Sequence, residues 1–176
     1  NLRILVRNIS ANNLQKKIKI IKQPLSDKVN KFSYMNEISK VEGEAFNSLD
    51  KKINHEGKKI KSLMSYSILS TNIDFLIKNK ILEVPDYIKI DVDGFEHLIL
   101  KGSTKLLKNK KVKKISLELN ENFKEQYETV KKIMKKNKFK LTYHSKMNSI
   151  LFPENNKIKK NKSKNLEKTY NFHFSR

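Results

Sequence analysis

The chain has no cysteine in 176 residues. Neither a disulfide framework nor a thiolate metal site is therefore open to it. That absence fits a reducing compartment, and a cytoplasmic location is expected. Its four glycines stand far apart, at Gly43, Gly57, Gly94 and Gly102. None builds a glycine-rich loop of the kind that cradles a nucleotide phosphate. No apolar run approaches the ~18 residues that a membrane-spanning helix needs, and no signal-peptide pattern opens the chain. Arginine is nearly missing as well, occurring only at Arg3, Arg7 and Arg176. Arginine is the residue favoured for bidentate phosphate and base contacts, so the net charge of +21 is essentially a lysine charge. The lysines are spread along the whole chain beside abundant Asn and Ile, the trio that AT-rich coding sequence produces. The charge reads as compositional bias, and nucleic acid is not expected as a partner.

Hydrophobic residues make up 37% of the chain, enough for the core of one domain. Leu2, Leu5, Val6 and Ile9 mark one face of a helix that Asn12-Asn13 ends. Ile18 to Lys22 reads as a short strand, and Pro24 blocks further pairing before the turn Leu25-Ser-Asp27. Val29 to Tyr34 reads as a strand. Residues 35–65 read as a loop-rich insertion with one short helix. Tyr66 to Ser70 is a further strand. Thr71 to Asp74 has the spacing of an N-cap with an acid at N3, opening a helix to about Lys80. Tyr87 to Ile90 is a buried strand, with Gly102 as the C′ residue of the helix after it and Ser103 as the next cap.

Ile115, Leu117 and Leu119 alternate with polar residues, a strand signature. Phe123, Tyr127, Val130 and Met134 share one face of a helix over residues 122–136. Phe139, Leu141 and Tyr143 alternate again, with Ser149 to Phe152 extending or pairing with them. Glu154 to Lys168 is a Lys/Asn-rich loop, and Tyr170 to Phe174 a closing strand. Alternating strands and helices predict a parallel α/β sheet. The last two strands, joined without a helix, predict an antiparallel hairpin at its edge.

The richest stretch is Tyr87 to Gly102, a strand, an acidic turn and a short helix. Asp91, Asp93 and Glu96 crowd that turn. In an open parallel sheet, ligands sit at the carboxyl ends of strands. Asp91 directly follows the strand and is the leading functional candidate. Asp93 and Glu96 equally suit a turn residue and a helix-dipole acid. Glu118, near the end of the next strand, faces either the same crevice or a lysine at an edge. An EF-hand does not fit, because loop positions 5 and 6 counted from Asp91 hold Phe95 and Glu96. His55, His97, His144 and His173 show no metal spacing, and no metal is expected.

Tyr87-Ile-Lys-Ile-Asp-Val-Asp-Gly-Phe-Glu96, with Leu100-Lys-Gly102 and Ile115-Ser-Leu-Glu118-Leu119, resembles the FkbM family of S-adenosylmethionine-dependent methyltransferases. Leu5 to Leu14, Gln23 to Asp27, Thr71 to Leu76 and Tyr170 to Phe174 resemble further segments of that family. The resemblance implies a class I, Rossmann-like α/β sheet with helices on both faces and a C-terminal antiparallel hairpin. It implies S-adenosylmethionine as cofactor and O-methylation of a sugar or secondary-metabolite hydroxyl as the reaction. Asp91 would lie near the transferred methyl, with Glu118 as a second candidate base. Asp93 and Glu96 would complete the acidic turn of the cofactor site, and Gln23, Leu25 and Ser26 would border the adenine. The family's first strand, its Gly-rich loop and the acid after its second strand have no counterpart here, and the chain begins at Asn1 without an initiator Met. The expectation is thus a methyltransferase domain over 1–176 lacking its first two strands, marginally stable and inactive alone. Two rival readings stay open: a Lys-rich nucleic-acid module, which exposed Tyr143, Phe172 and Phe174 near lysines would favour, and a degenerate paralogue.

Overall fold

Two sheets organise the computed structural model, which describes residues 2–41, 47–146 and 169–176. The elements run α1 (Leu2–Ala11), β1 (Lys31–Glu37), β2 (Ser48–Leu49), β3 (Met64–Ser70), α2 (Ile73–Lys78), β4 (Tyr87–Ile90), α3 (Glu96–Lys101), a 3-10 turn (Leu106–Lys108), β5 (Lys114–Asn120), α4 (Lys124–Lys136), β6 (Lys140–Lys146) and β7 (Thr169–Ser175). The first three strands form an antiparallel sheet in the order β2-β1-β3, and the last four a mixed sheet in the order β4-β5-β7-β6. The expected antiparallel pair is there, with β7 lying between β5 and β6 and antiparallel to both. No helix of the described residues is long and apolar enough to cross a membrane.

The period-2 pattern of β5 produces the core. Ile115, Leu117 and Leu119 are at most 1% exposed. Across the ladder they stand level with Phe174, Phe172 and Tyr170, so one face of the sheet is apolar. Val130 and Met134 of α4 and Leu100 and Leu107 after β4 fill the layer against it. Each such side chain contributes about 1.5–3 kcal/mol of burial. Helices were expected on both faces. Among the described residues, the opposite face instead borders an open groove of about 710 Å³, lined by Lys89, Lys114, Ser116, Tyr143 and His173.

Several local expectations are corrected by packing. Ile18 to Lys22 is irregular, because the pairing passes to Leu25, which makes a parallel bridge to Thr71. Residues 35–65 hold no helix among those described; they finish β1, supply β2 and start β3. The cap of α2 is Asn72, one residue later than expected, whose side chain accepts from Phe75 N at 2.8 Å. Asp74 does not face its own helix start. It accepts from Thr104 Oγ1 (3.1 Å) and from the backbone N–H groups of Lys105 (2.8 Å) and Leu106 (2.9 Å). Ser103 does not cap either, since its hydroxyl donates back to Ile99 O at 2.6 Å. Gly102 closes α3 with φ −81°, so no left-handed backbone requires glycine there. The requirement is close approach: a Cβ would run into the Ser26 carbonyl and stand 2.7 Å from the Asn72 Cβ. In β6, Leu141 and Tyr143 are exposed although Phe139 before them is buried. Ser149 to Phe152 and Glu154 to Lys168 lie outside the described residues.

Candidate active site

The parallel pair β4–β5 sets the geometry. Ile90 is level with Leu117 in that ladder, so Asp91, the residue after β4, comes out beside Glu118, which lies two residues before the end of β5. The two carboxyls are near enough that each shifts the protonation of the other. Partial burial opposes ionisation of Asp91, but Lys89, 2.7 Å away, and the neighbouring Glu118 carboxyl outweigh it and hold Asp91 below its ordinary value. Glu118 moves the other way. Burial, then the neighbouring Asp91 carboxylate, then Asp93 and Glu96 push it up to about 7. Repulsion between the two carboxylates thus favours a state in which Asp91 is ionised and Glu118 is the group that takes up a proton.

The turn after β4 is built for close contact. Asp93 (φ +52°) and Gly94 (φ +110°) are both left-handed. Gly94 is needed twice over, for its φ and because a Cβ would stand 3.1 Å from the His55 Cα. The loop that meets it is a tight turn in which Asn54 Oδ1 accepts from Glu56 N (3.0 Å) and Lys58 N (2.9 Å). Gly57 of the same turn sits against the Phe123 ring at the start of α4. Residues 54–58 thus cover both the acidic turn and the β5–α4 junction.

Beneath the turn lie two buried polar side chains. Glu96 is fully buried, and its carboxylate accepts from Val92 N at 3.1 Å and from the Gln126 side-chain amide. Desolvation raises Glu96 to about 7 against these hydrogen bonds. His97 is equally buried, and neither ring nitrogen has a hydrogen-bond partner. Burial lowers its pKa and keeps it neutral, with the Phe123 ring edge-on at 5.9 Å and Glu125 Oε1 at 3.9 Å. Among the described residues no cluster of three or more His, Asp or Glu is placed to hold a metal.

The model of the methyltransferase FkbM domain matches residues 1–156. The chain belongs to that family. No curated protein and no solved structure matches it. The match takes in β4, the acidic turn and β5, while β7 lies beyond it and still occupies the middle of the sheet.

For this FkbM domain, the structure brings together four of the residues read from sequence: Asp91, Asp93, Glu96 and Glu118 interact through one field of negative charge. Gln23, Leu25 and Ser26 lie elsewhere. Gln23 lines a cavity of about 570 Å³ with Pro24, Met35, Glu37, Tyr66 and Ile68, none of them from the acidic turn. Leu25 packs on the core, and buried Ser26 accepts from Lys28 N at 3.0 Å. Glu96 has no surface to offer a ligand. Phe172 and Phe174 are in the core, which removes two of the three aromatics that a nucleic-acid surface would use. Sequence reasoning missed Gln126 and the Asn54–Lys58 turn. Gln126 interrupts the seam of α4 as a polar residue at 1% exposure, a signal visible only once the seam's facing partner is known.

Proposed function

We propose that this FkbM domain is an S-adenosylmethionine-dependent O-methyltransferase acting on a hydroxyl of a sugar or other small metabolite, with Asp91 and Glu118 at the transfer site. The observation that carries the reading is the placing of Asp91, just past the carboxyl end of β4, beside Glu118 of the adjacent parallel strand, at the edge where such sheets bind ligands. The donor set suits the cofactor: anionic oxygens complement a sulfonium cation and its polarised methyl. S-adenosylmethionine, when bound, supplies that electrophilic methyl. Asp91 and Asp93 are the residues that would face its methionine end.

The rest falls to side chains of the chain itself. An acceptor hydroxyl gains nucleophilicity as its proton leaves, and a base is most effective with a pKa near the working pH. Glu118, raised to about 7, meets that condition. In its ionised form it takes the hydroxyl proton, and Asp91 beside it keeps the carboxyl oriented. Calorimetric titration of the full-length protein with S-adenosylmethionine tests the reading. Micromolar binding that weakens with Asp91→Asn supports it; the absence of binding by the full-length protein refutes it.

A further inference from the structure

The polarity of one buried hydrogen-bond chain is fixed by the backbone. Asn120 N donates to Gln126 Oε1 at 3.0 Å. A backbone N–H can only donate, so the oxygen of the Gln126 amide must point to Asn120 and its NH₂ must point to Glu96. That NH₂ donates to Glu96 Oε2, and Val92 N donates to Glu96 Oε1 at 3.1 Å. Both Glu96 oxygens are thus acceptors. Glu96, Gln126 and Asn120 are at most 2% exposed, so water does not substitute for any link. The chain begins one residue after Asp91 and ends two residues after Glu118.

We infer that Glu96 and Gln126 are positioning residues, a buried relay that clamps the acidic turn to the end of β5 and so holds Asp91 against Glu118. The inference rests on the reading of Asp91 and Glu118 as the transfer site for its meaning, but not for its test. The relay has a built-in proton dependence. An ionised Glu96 accepts both bonds; a protonated one presents a hydroxyl to two donors and must give up one of them. The charged groups around it are Asp93 in the turn and Glu118 on β5, and both oppose ionisation or are opposed by it. Gln126 on α4 is neutral, and the loop packed on Gly94 brings the backbone of His55.

The test is carboxyl-carbon and amide NMR on the full-length protein without cofactor. In Gln126→Met, a shape-matched side chain without the amide, the Glu118 midpoint should fall below about 7 as Asp91 moves off, with the share due to burial remaining. A purely structural Gln126 would leave that midpoint in place, and an unchanged midpoint in a folded variant overturns the inference. Wild-type protein gives the second measurement. The Val92 and Asn120 amide resonances should share one transition with the Glu96 carboxyl near pH 7. Amides that ignore that transition overturn the inference even where Gln126→Met does not fold. None of these readouts involves methyl transfer, so a relay that holds in a protein without cofactor binding would count against the proposed function alone.

Discussion

Replacing Glu96 by glutamine should change how stability depends on pH, and burial fixes the direction. Burial lifts this carboxyl from 4.5 to about 7 in the folded chain. A carboxyl that holds its proton more tightly when folded contributes stability that is complete below about 4.5 and is lost as pH rises through about 7. At about 1.4 kcal/mol per pH unit, the wild type loses about 3 kcal/mol over that window through Glu96. Glutamine imitates the neutral acid in shape and has one acceptor oxygen facing the Val92 and Gln126 donors. The variant should therefore match the wild type at pH 5 to within about 1 kcal/mol. By pH 8.5 it should be the more stable protein by about 3 kcal/mol, because it has no charge to desolvate. Glu118 titrates in the same window but is present in both proteins, so it cancels to first order. Urea unfolding of both at pH 5, 7 and 8.5, with unchanged m-values, measures the difference. Curves that run parallel across that range would refute the reasoning, since they would mean that Glu96 is already ionised in the native state at pH 5.

Three further outcomes are expected. Gly102→Ala should destabilise by about 1–3 kcal/mol through overpacking against Ser26 and Asn72; at roughly 2–4 °C per kcal/mol for a chain of this size, calorimetry should show a Tm lower by several degrees, and an unchanged Tm would mean that this contact relaxes freely. Asp74→Ala removes the acceptor for Thr104, Lys105 and Leu106. It should cost about 1–3 kcal/mol and speed hydrogen exchange at the Lys105 and Leu106 amides, and unaltered exchange there would sink the assignment. Asp91→Asn in the full-length enzyme should lower turnover by about 10²-fold, because Glu118 is no longer held in place; turnover near the wild-type rate would take Asp91 out of the mechanism.

Legibility in the sequence followed how local the cause was. The helices α1 and α4 and the strand β5 were readable because period alone specifies them, and Leu117 and Val130 are buried where the pattern puts them. The acid pair was readable because Asp91 ends a strand and Glu118 lies one register step along the next. Ile18 to Lys22 has strand composition yet forms none, because a strand needs a partner and sequence does not name one. The Glu96 carboxyl reads from sequence as a helix-dipole acid or as part of the cofactor turn; its burial depends on Gln126, 30 residues away. Gly102 closes α3 as its place in the sequence implies, but the close approach to Ser26 that demands glycine is a tertiary fact. The turn at 54–58 left no local trace of its contact with Gly94, as that contact spans nearly 40 residues.

The order β4-β5-β7-β6 also has a consequence in time. During synthesis β5 emerges complete at Asn120, but the strand that flanks it on one side starts at Thr169. Translation at about 5–20 residues per second leaves that edge open for roughly 2–10 s. Throughout the interval the nascent chain displays Ile115, Leu117 and Leu119 on a strand with unpaired amides, the kind of template that recruits other chains. β6 is made in the meantime and finds no partner until β7 slides between the two. Yield in a cell should thus depend on chaperone capacity and temperature during translation more than on the stability of the finished fold.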